Sequence, residues 1–100
     1  MKTYPIKTDK GSIHVFEVGN AALSRGGVVR IVQKIPNVVV VKKPKFLSWL
    51  REDVFCQFEI SGQLFSVEEP FGDNSRYLVS AEPRGSSQQI EVVERAFKEA

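Results

Sequence analysis

The sequence has 100 residues, of which 42% are hydrophobic and 26% are charged, and its formal net charge is +2. This balance excludes an intrinsically disordered chain, and we expect residues 1–100 to form a single domain. The first residues lack the apolar run of a signal peptide, and no apolar stretch is long enough to cross a bilayer. The single cysteine cannot form an internal disulfide, which favours a reducing compartment. We therefore expect a cytoplasmic protein without membrane contact.

The chain opens with a predicted hairpin over residues 4–7 and 12–18, which are separated by turn-forming residues. A four-residue loop would place Ile6 opposite Ile13 and so pair apolar with apolar side chains. Pro5 has no backbone donor, and the first strand is therefore expected at the edge of a sheet.

The next segment is predicted to form a second hairpin. Residues 21–24 are read as a single helical turn that ends at Gly26-Gly27, since glycine commonly follows a helix end. Residues 28–35 and 38–43 are rich in β-branched side chains, which favour strands. Pro36-Asn37 lies between them and is typical of a turn.

The middle of the chain contains the clearest strand pattern. Apolar side chains at helical spacing predict a short helix over residues 44–51. After it, residues 54–68 predict two strands joined by a two-residue turn at Ser61-Gly62, where glycine supplies a positive φ. The register pairs apolar side chains across the ladder, Phe58 with Phe65 and Cys56 with Val67.

The last part of the sequence predicts a strand over residues 76–80 and a C-terminal helix. Ser86 and Gln89 have the spacing of a capping box at the start of this helix. Its apolar stripe consists of Ile90, Val93 and Phe97, which we expect to lie on the sheet. The other face carries two ion pairs at i,i+4 spacing, Glu91 with Arg95 and Glu94 with Lys98.

Together these elements predict an α+β fold. We expect a mainly antiparallel sheet of about six strands, built from three hairpin-like units. The C-terminal helix packs on one face of this sheet, and a short helix lies near residues 44–51.

Charge is unevenly distributed along the chain. Residues 18–51 contain seven basic and no acidic side chains, whereas residues 52–100 contain ten acidic and four basic ones. A basic stretch of this kind indicates either a binding face or an internal attraction between two halves of one domain. In the predicted second hairpin, Arg30, Lys34 and Lys43 share a face, with Arg30 directly opposite Lys43. The candidate partner-binding residues are Arg30, Lys34, Lys43, Lys45, Trp49 and Arg51.

The favoured function is a small non-enzymatic binding domain that engages an acidic surface of a macromolecular partner through the basic 25–51 stretch. A protein partner is favoured over nucleic acid. In the nucleic-acid alternative, Phe46 and Trp49 would stack on bases beside the same basic residues, although both also fit the core of a short helix. Self-association into a homodimer is a further alternative, because the two oppositely charged halves can attract each other.

The segment EEPFGDNSRY is a second candidate site. In one interpretation this segment is a recognition loop, and the residues that would contact a partner are Phe71, Asp73, Asn74 and Arg76. In the alternative reading the segment is only a turn, in which Asp and Asn side chains bond their own backbone. We expect Arg76 to reach Glu68 or Glu69 across this turn.

No catalytic residue, metal site or cofactor is predicted. An enzyme would have to use His14, the only histidine, with Cys56 or Asp73. Cys56 lies on the apolar face of its strand, where a thiol behaves as a small hydrophobic group. The segment SRGGVVR contains adjacent glycines beside Arg25, but it matches no phosphate-binding pattern and precedes a predicted strand rather than a helix.

Overall fold

The computed structural model describes residues 1–7, 13–19, 23–42, 54–69, 76–82 and 88–100. Within these residues, six strands form one antiparallel sheet in the order β1-β2-β6-β5-β4-β3, accompanied by two helices. The α+β class, the antiparallel sheet and the C-terminal helix are confirmed. The predicted helix over 44–51 lies outside the described residues. The elements are β1 Thr3–Lys7, β2 Ile13–Gly19, α1 Arg25–Gln33, β3 Val38–Lys42, β4 Val54–Ile60, β5 Gln63–Glu68, β6 Arg76–Glu82 and α2 Gln88–Lys98.

The β4–β5 hairpin confirms the central prediction, including its register. Ser61 and Gly62 both have positive φ, at 51° and 83°, as a two-residue primed turn requires. The predicted pairs Phe58–Phe65 and Cys56–Val67 are both present. The two phenyl rings stack with centroids 5.4 Å apart, and both side chains are fully buried. This hairpin therefore forms the centre of the hydrophobic core.

The first hairpin exists, but the predicted register is wrong. Ile6 lies opposite Val15 instead of Ile13, and a bulge between Ile6 and Lys7 brings Lys7 opposite Ile13. Either valine or isoleucine offers an apolar partner for Ile6, so hydrophobic matching alone does not select between the two registers. The prediction that β1 is an edge strand is confirmed.

The second predicted hairpin is wrong, because residues 25–33 form a helix. Ser24 is the N-cap, and its Oγ accepts a hydrogen bond of 3.0 Å from the backbone N–H of Gly27. Gly26 and Gly27 thus lie in the first turn of α1 and do not end an earlier helix. The helix buries one apolar face, and this burial outweighs the weak preference of valine for strands. The buried apolar residues of α1 and its C-terminal flank are Val28, Val29, Ile31, Val32 and Ile35.

Pro36-Asn37 joins a helix to a strand rather than two strands. Asn37 adopts a positive φ of 64°, which asparagine tolerates better than most residues. The chain then enters β3, which pairs with β4 and forms the second edge of the sheet. The predicted turn at Pro36-Asn37 is therefore present, but the element before it is a helix and not the predicted strand.

Both helices pack on the same face of the sheet and share one core. Helix α2 buries Ile90, Val93 and Phe97, as its apolar stripe predicts. The Phe97 ring meets the Phe16 ring of β2 edge to face, with centroids 5.6 Å apart. Helix α1 lies over β3 and β4, and α2 lies over β1 and β2. The two helices therefore lie side by side and form a layer above the sheet.

Glu94 departs from its predicted place on the solvent-facing side of α2. The residue is only 6% exposed, and its Oε2 accepts a hydrogen bond of 2.9 Å from the Thr3 hydroxyl. The predicted pair with Lys98 is present at 3.5 Å. A charge-assisted bond of this kind compensates the carboxylate for lost hydration and ties β1 to α2.

Candidate functional site

The basic residues predicted from the sequence are only partly described. Arg30 and Lys34 are exposed and lie one turn apart on the surface of α1 and its C-cap. The prediction that they face Lys43 across a hairpin is wrong, because their segment is helical. Four further candidates lie outside the described residues, namely Lys43, Lys45, Trp49 and Arg51.

A groove opens between the C-terminal parts of α1 and α2. Its volume is about 450 Å³, which falls within the range of small ligand pockets. We call this feature the inter-helix groove. Its lining residues are Ile31, Lys34, Ile35, Pro36, Val92, Arg95, Ala96, Glu99 and Ala100.

The lining of the inter-helix groove is mainly apolar. Ile31 and Ile35 are buried and line it from the α1 side. Val92 forms part of the α2 side and is 40% exposed, which makes it one of the few large apolar side chains on the described surface. Covering Val92 would remove apolar surface from water and so favour binding.

Lys34, at the C-cap of α1, and Arg95, in α2, contribute positive charge to this lining, and Glu99 contributes a negative charge. Both cations also lie near the C-terminal ends of their helices, where positive charge offsets the helix dipole. In the part of the chain that is described, the exposed charges of the helical layer are four cations and two carboxylates. They are Arg30, Lys34, Arg95, Lys98, Glu91 and Glu99.

The face of the sheet away from the helices is more acidic. Its strand carboxylates each follow or precede a core-facing residue, so the alternation of strand side chains directs them to the opposite face. Arg76 pairs with one of them, Glu17, at 3.3 Å. The carboxylates on this face are Glu17, Glu59, Glu68 and Glu82. The two faces of the described fold therefore differ in charge.

Arg25 lies at the other end of α1, in a partly buried cluster. Its Nη2 donates a hydrogen bond of 2.8 Å to Oε1 of Glu69, and its guanidinium lies 4.7 Å from the centroid of the Phe55 ring. Burial and the Glu69 carboxylate raise the pKa of Tyr77, and Arg25 opposes this effect. The Tyr77 hydroxyl donates a hydrogen bond of 2.8 Å to the Leu23 carbonyl.

The structure corrects the prediction for SRGGVVR, because this segment is the N-cap and the first part of helix α1. Its N-terminal end is nevertheless occupied by protein groups, because Ser24 caps Gly27 and Glu69 holds the Arg25 side chain. The Nη1 atom of Arg25 is buried and has no hydrogen-bond partner, while the guanidinium as a whole is stabilised by its position over the Phe55 ring. We assign the cluster to the packing of α1 against β4 and β6.

Only one member of the predicted recognition loop is described. Arg76 begins β6, where it bonds Glu17 and lies 3.8 Å from the centroid of the Tyr4 ring. The prediction that Arg76 reaches Glu68 or Glu69 is thus replaced by a contact with Glu17. The other three candidates, Phe71, Asp73 and Asn74, lie outside the described residues.

The structure does not bring His14 and Cys56 together. They lie in β2 and β4, which are separated by β6 and β5, so their backbones are roughly 14 Å apart across the sheet. Cys56 is fully buried, and burial raises its pKa from 9.0 to about 11. The thiol therefore stays protonated near neutral pH, which is unfavourable for a nucleophile. Among the described residues, no group of three or more His, Cys, Asp or Glu side chains could hold a metal ion.

Comparisons with protein-family models, with curated proteins and with solved structures find no match. Neither described helix is long and apolar enough to cross a membrane.

Half of the inter-helix groove was missed from the sequence. Val92, Arg95 and Ala96 belong to α2, far along the chain from Lys34, and only the tertiary fold brings them together. One signal was present, because Val92 is an apolar residue that lies outside the stripe of Ile90 and Val93.

Proposed function

We propose that this chain is a small non-enzymatic binding domain that engages an acidic surface of a protein partner through its helical layer. One observation carries the proposal: the inter-helix groove combines an apolar lining with Lys34 and Arg95 on its two sides. An acidic partner gains from burying apolar surface there and from pairing its carboxylates with the two cations.

The charge pattern supports a protein partner over nucleic acid. Glu91 and Glu99 are exposed among the cations of the helical layer. A phosphate backbone holds its negative charges at a fixed, close spacing and has no apolar side chain to cover Val92, so it matches this mixed surface poorly. A protein surface can place acidic groups on Lys34 and Arg95 and still offer neutral or basic groups to Glu99.

A cytoplasmic location forms part of the proposal. The single cysteine of the chain, Cys56, is fully buried and is a free thiol. Such a side chain is typical of reducing compartments, where disulfides are rare. A fluorescent fusion in the native host is expected to give a diffuse cytoplasmic signal, and an exported fusion would contradict this location.

Binding to defined polyanions tests the proposal. The probes are fluorescein-labelled polyglutamate and single- and double-stranded DNA and RNA, measured by fluorescence anisotropy at about 50 mM and about 200 mM salt. The double variant Lys34→Glu/Arg95→Glu reverses both groove cations. Lys2→Glu/Lys7→Glu is the matched control, because it changes net charge equally at exposed positions in and beside β1.

We expect polyglutamate to bind the wild type and the control, and to lose most of its affinity for the groove variant. Equal losses in both variants would show that only net charge matters and would refute a helical binding face. Nucleic acid that binds more tightly than polyglutamate, with a steep salt dependence, would instead establish the nucleic-acid alternative.

A further inference from the structure

The backbone N–H groups of Lys34, Ile35 and Glu99, which line the inter-helix groove, are already hydrogen-bonded within the protein. The N–H groups of Lys34 and Ile35 bond the carbonyls of Ile31 and Val32 at 3.1 and 3.0 Å. On the other side, the N–H of Glu99 bonds a carbonyl of α2 at 3.0 Å. A strand laid in this groove would leave its own N–H and C=O groups without protein partners. A segment that satisfies its backbone internally avoids this cost.

The dimensions and the lining restrict the side chains that such a segment can insert. A groove of about 450 Å³ accepts a small number of side chains and not a whole element. Ile31, Ile35 and Val92 provide apolar contacts, and Val92 is still 40% exposed. Large aliphatic or aromatic side chains therefore fit this part of the groove best.

The charged groups specify what surrounds those apolar side chains. Lys34 lines the groove from the α1 side and Arg95 from the α2 side, and each can receive a carboxylate. An amphipathic helix presents apolar residues at i, i+3 and i+4, with acidic residues on both flanks of the stripe. Its geometry thus matches the apolar lining and the two cations at the same time.

We infer that the inter-helix groove binds an acidic amphipathic helix of a partner protein. This inference rests on the proposed function and adds the secondary structure and the side-chain pattern of the partner segment. The helix places one or two large apolar side chains between Ile31, Ile35 and Val92. Its flanking carboxylates pair with Lys34 and Arg95.

An NMR titration with designed peptides tests this inference. Each peptide has about 16 residues, enough for roughly four helical turns. The first places leucines at i, i+3 and i+4 spacing among glutamates. The second contains the same residues in an order that breaks the stripe, and the third replaces each glutamate with lysine.

The methyl groups of Ile31, Ile35 and Val92 are expected to shift on addition of the first peptide. Both other peptides should bind at least about tenfold more weakly. Val92→Gln removes the apolar side chain without changing charge, and we expect it to weaken the first peptide about tenfold. Val39→Gln is the matched control at an exposed valine of β3, and it should leave binding unchanged.

Equal binding of the striped and the scrambled peptide would overturn the helix inference, and the proposed function would stand if polyglutamate still distinguishes Lys34→Glu/Arg95→Glu from its control. Absence of any shift up to about 1 mM peptide would also overturn it. Shifts of the groove methyl groups that depend on protein concentration, without peptide, would identify a second copy of this chain as the occupant and would refute the inference.

Discussion

The assignment of residues 25–33 to a helix makes opposite predictions for two adjacent glycines. Gly26 is exposed, and a Cβ built there meets only the Ser24 Oγ at 3.9 Å. Gly26→Ala should stabilise the fold by about 0.5–1 kcal/mol, because alanine loses less backbone entropy in a helix. For a domain of this size, each kcal/mol raises the melting temperature by about 4–8 °C.

Gly27 is different, since its Cβ would lie 2.8 Å from Cδ1 of Leu23. Leu23 is buried, so its Cδ1 can move away only by changing rotamer among packed neighbours. Overpacking of this kind costs about 1–3 kcal/mol, which over most of that range is more than the gain in helix propensity of roughly 1 kcal/mol. Gly27→Ala should therefore lower the free energy of unfolding.

Urea denaturation followed by circular dichroism measures both variants under the same conditions. The helix predicts a gain for Gly26→Ala and a loss for Gly27→Ala. In a strand, alanine brings no such gain at position 26. A loss of stability in both variants would refute the helical assignment of this segment, whereas a gain in both would refute only the clash with Leu23.

Three further variants or conditions test the packing. Gly62→Ala should lower the free energy of unfolding in urea by about 1–2 kcal/mol. An added Cβ has open space around it, so the cost comes from the φ of 83°, which is unfavourable for any side chain. An unchanged urea midpoint would contradict the turn. Thr3→Val removes the hydroxyl that donates to Glu94 and should lower the free energy of unfolding by about 1.5–3 kcal/mol. Thr3→Ser keeps a hydroxyl and should retain most of this stability. Equal losses in both variants would show that the hydrogen bond contributes nothing. Because the pKa of Cys56 is raised from 9.0 to about 11, its neutral form stabilises the fold below pH 9, and this stability should disappear as pH rises through 11. A thiol reagent at pH 8 should label Cys56 only through unfolding, and rapid labelling would contradict its burial.

The parts of the fold that were predicted correctly have strong local signals. In the β4–β5 hairpin, Ser61-Gly62 restricts the turn type, and the alternating pattern restricts the register. In α2, the spacing of Ile90, Val93 and Phe97 leaves a single face for burial. Local conformation and tertiary packing agree in both elements, so the sequence was sufficient there.

Helix α1 was missed because its local and tertiary signals disagree. Its valines, its isoleucine and the following Pro36-Asn37 favour strand and turn. Yet Val28, Ile31 and Val32 have i, i+3 and i+4 spacing, which was readable as the buried stripe of a helix. In this segment the helical spacing of the apolar side chains outweighs their β-branched composition.

The inter-helix groove could be predicted only in part, for a different reason. The sequence identified Lys34 as a candidate through the basic stretch. Arg95 and Val92 lie in a helix near the other end of the chain, and nothing local connects them with Lys34. Their juxtaposition depends on both helices packing on one face of the sheet, and this packing requires residues 25–33 to be helical.

The most direct test of the binding account is the location of the contact on the protein. Isotope-filtered NOE spectra of the chain with the striped acidic peptide would report which methyl groups meet its leucines. Binding in the inter-helix groove predicts NOEs to Ile31, Ile35 and Val92. NOEs confined to the exposed valines of β3, Val39 and Val41, would place the peptide elsewhere and contradict the account.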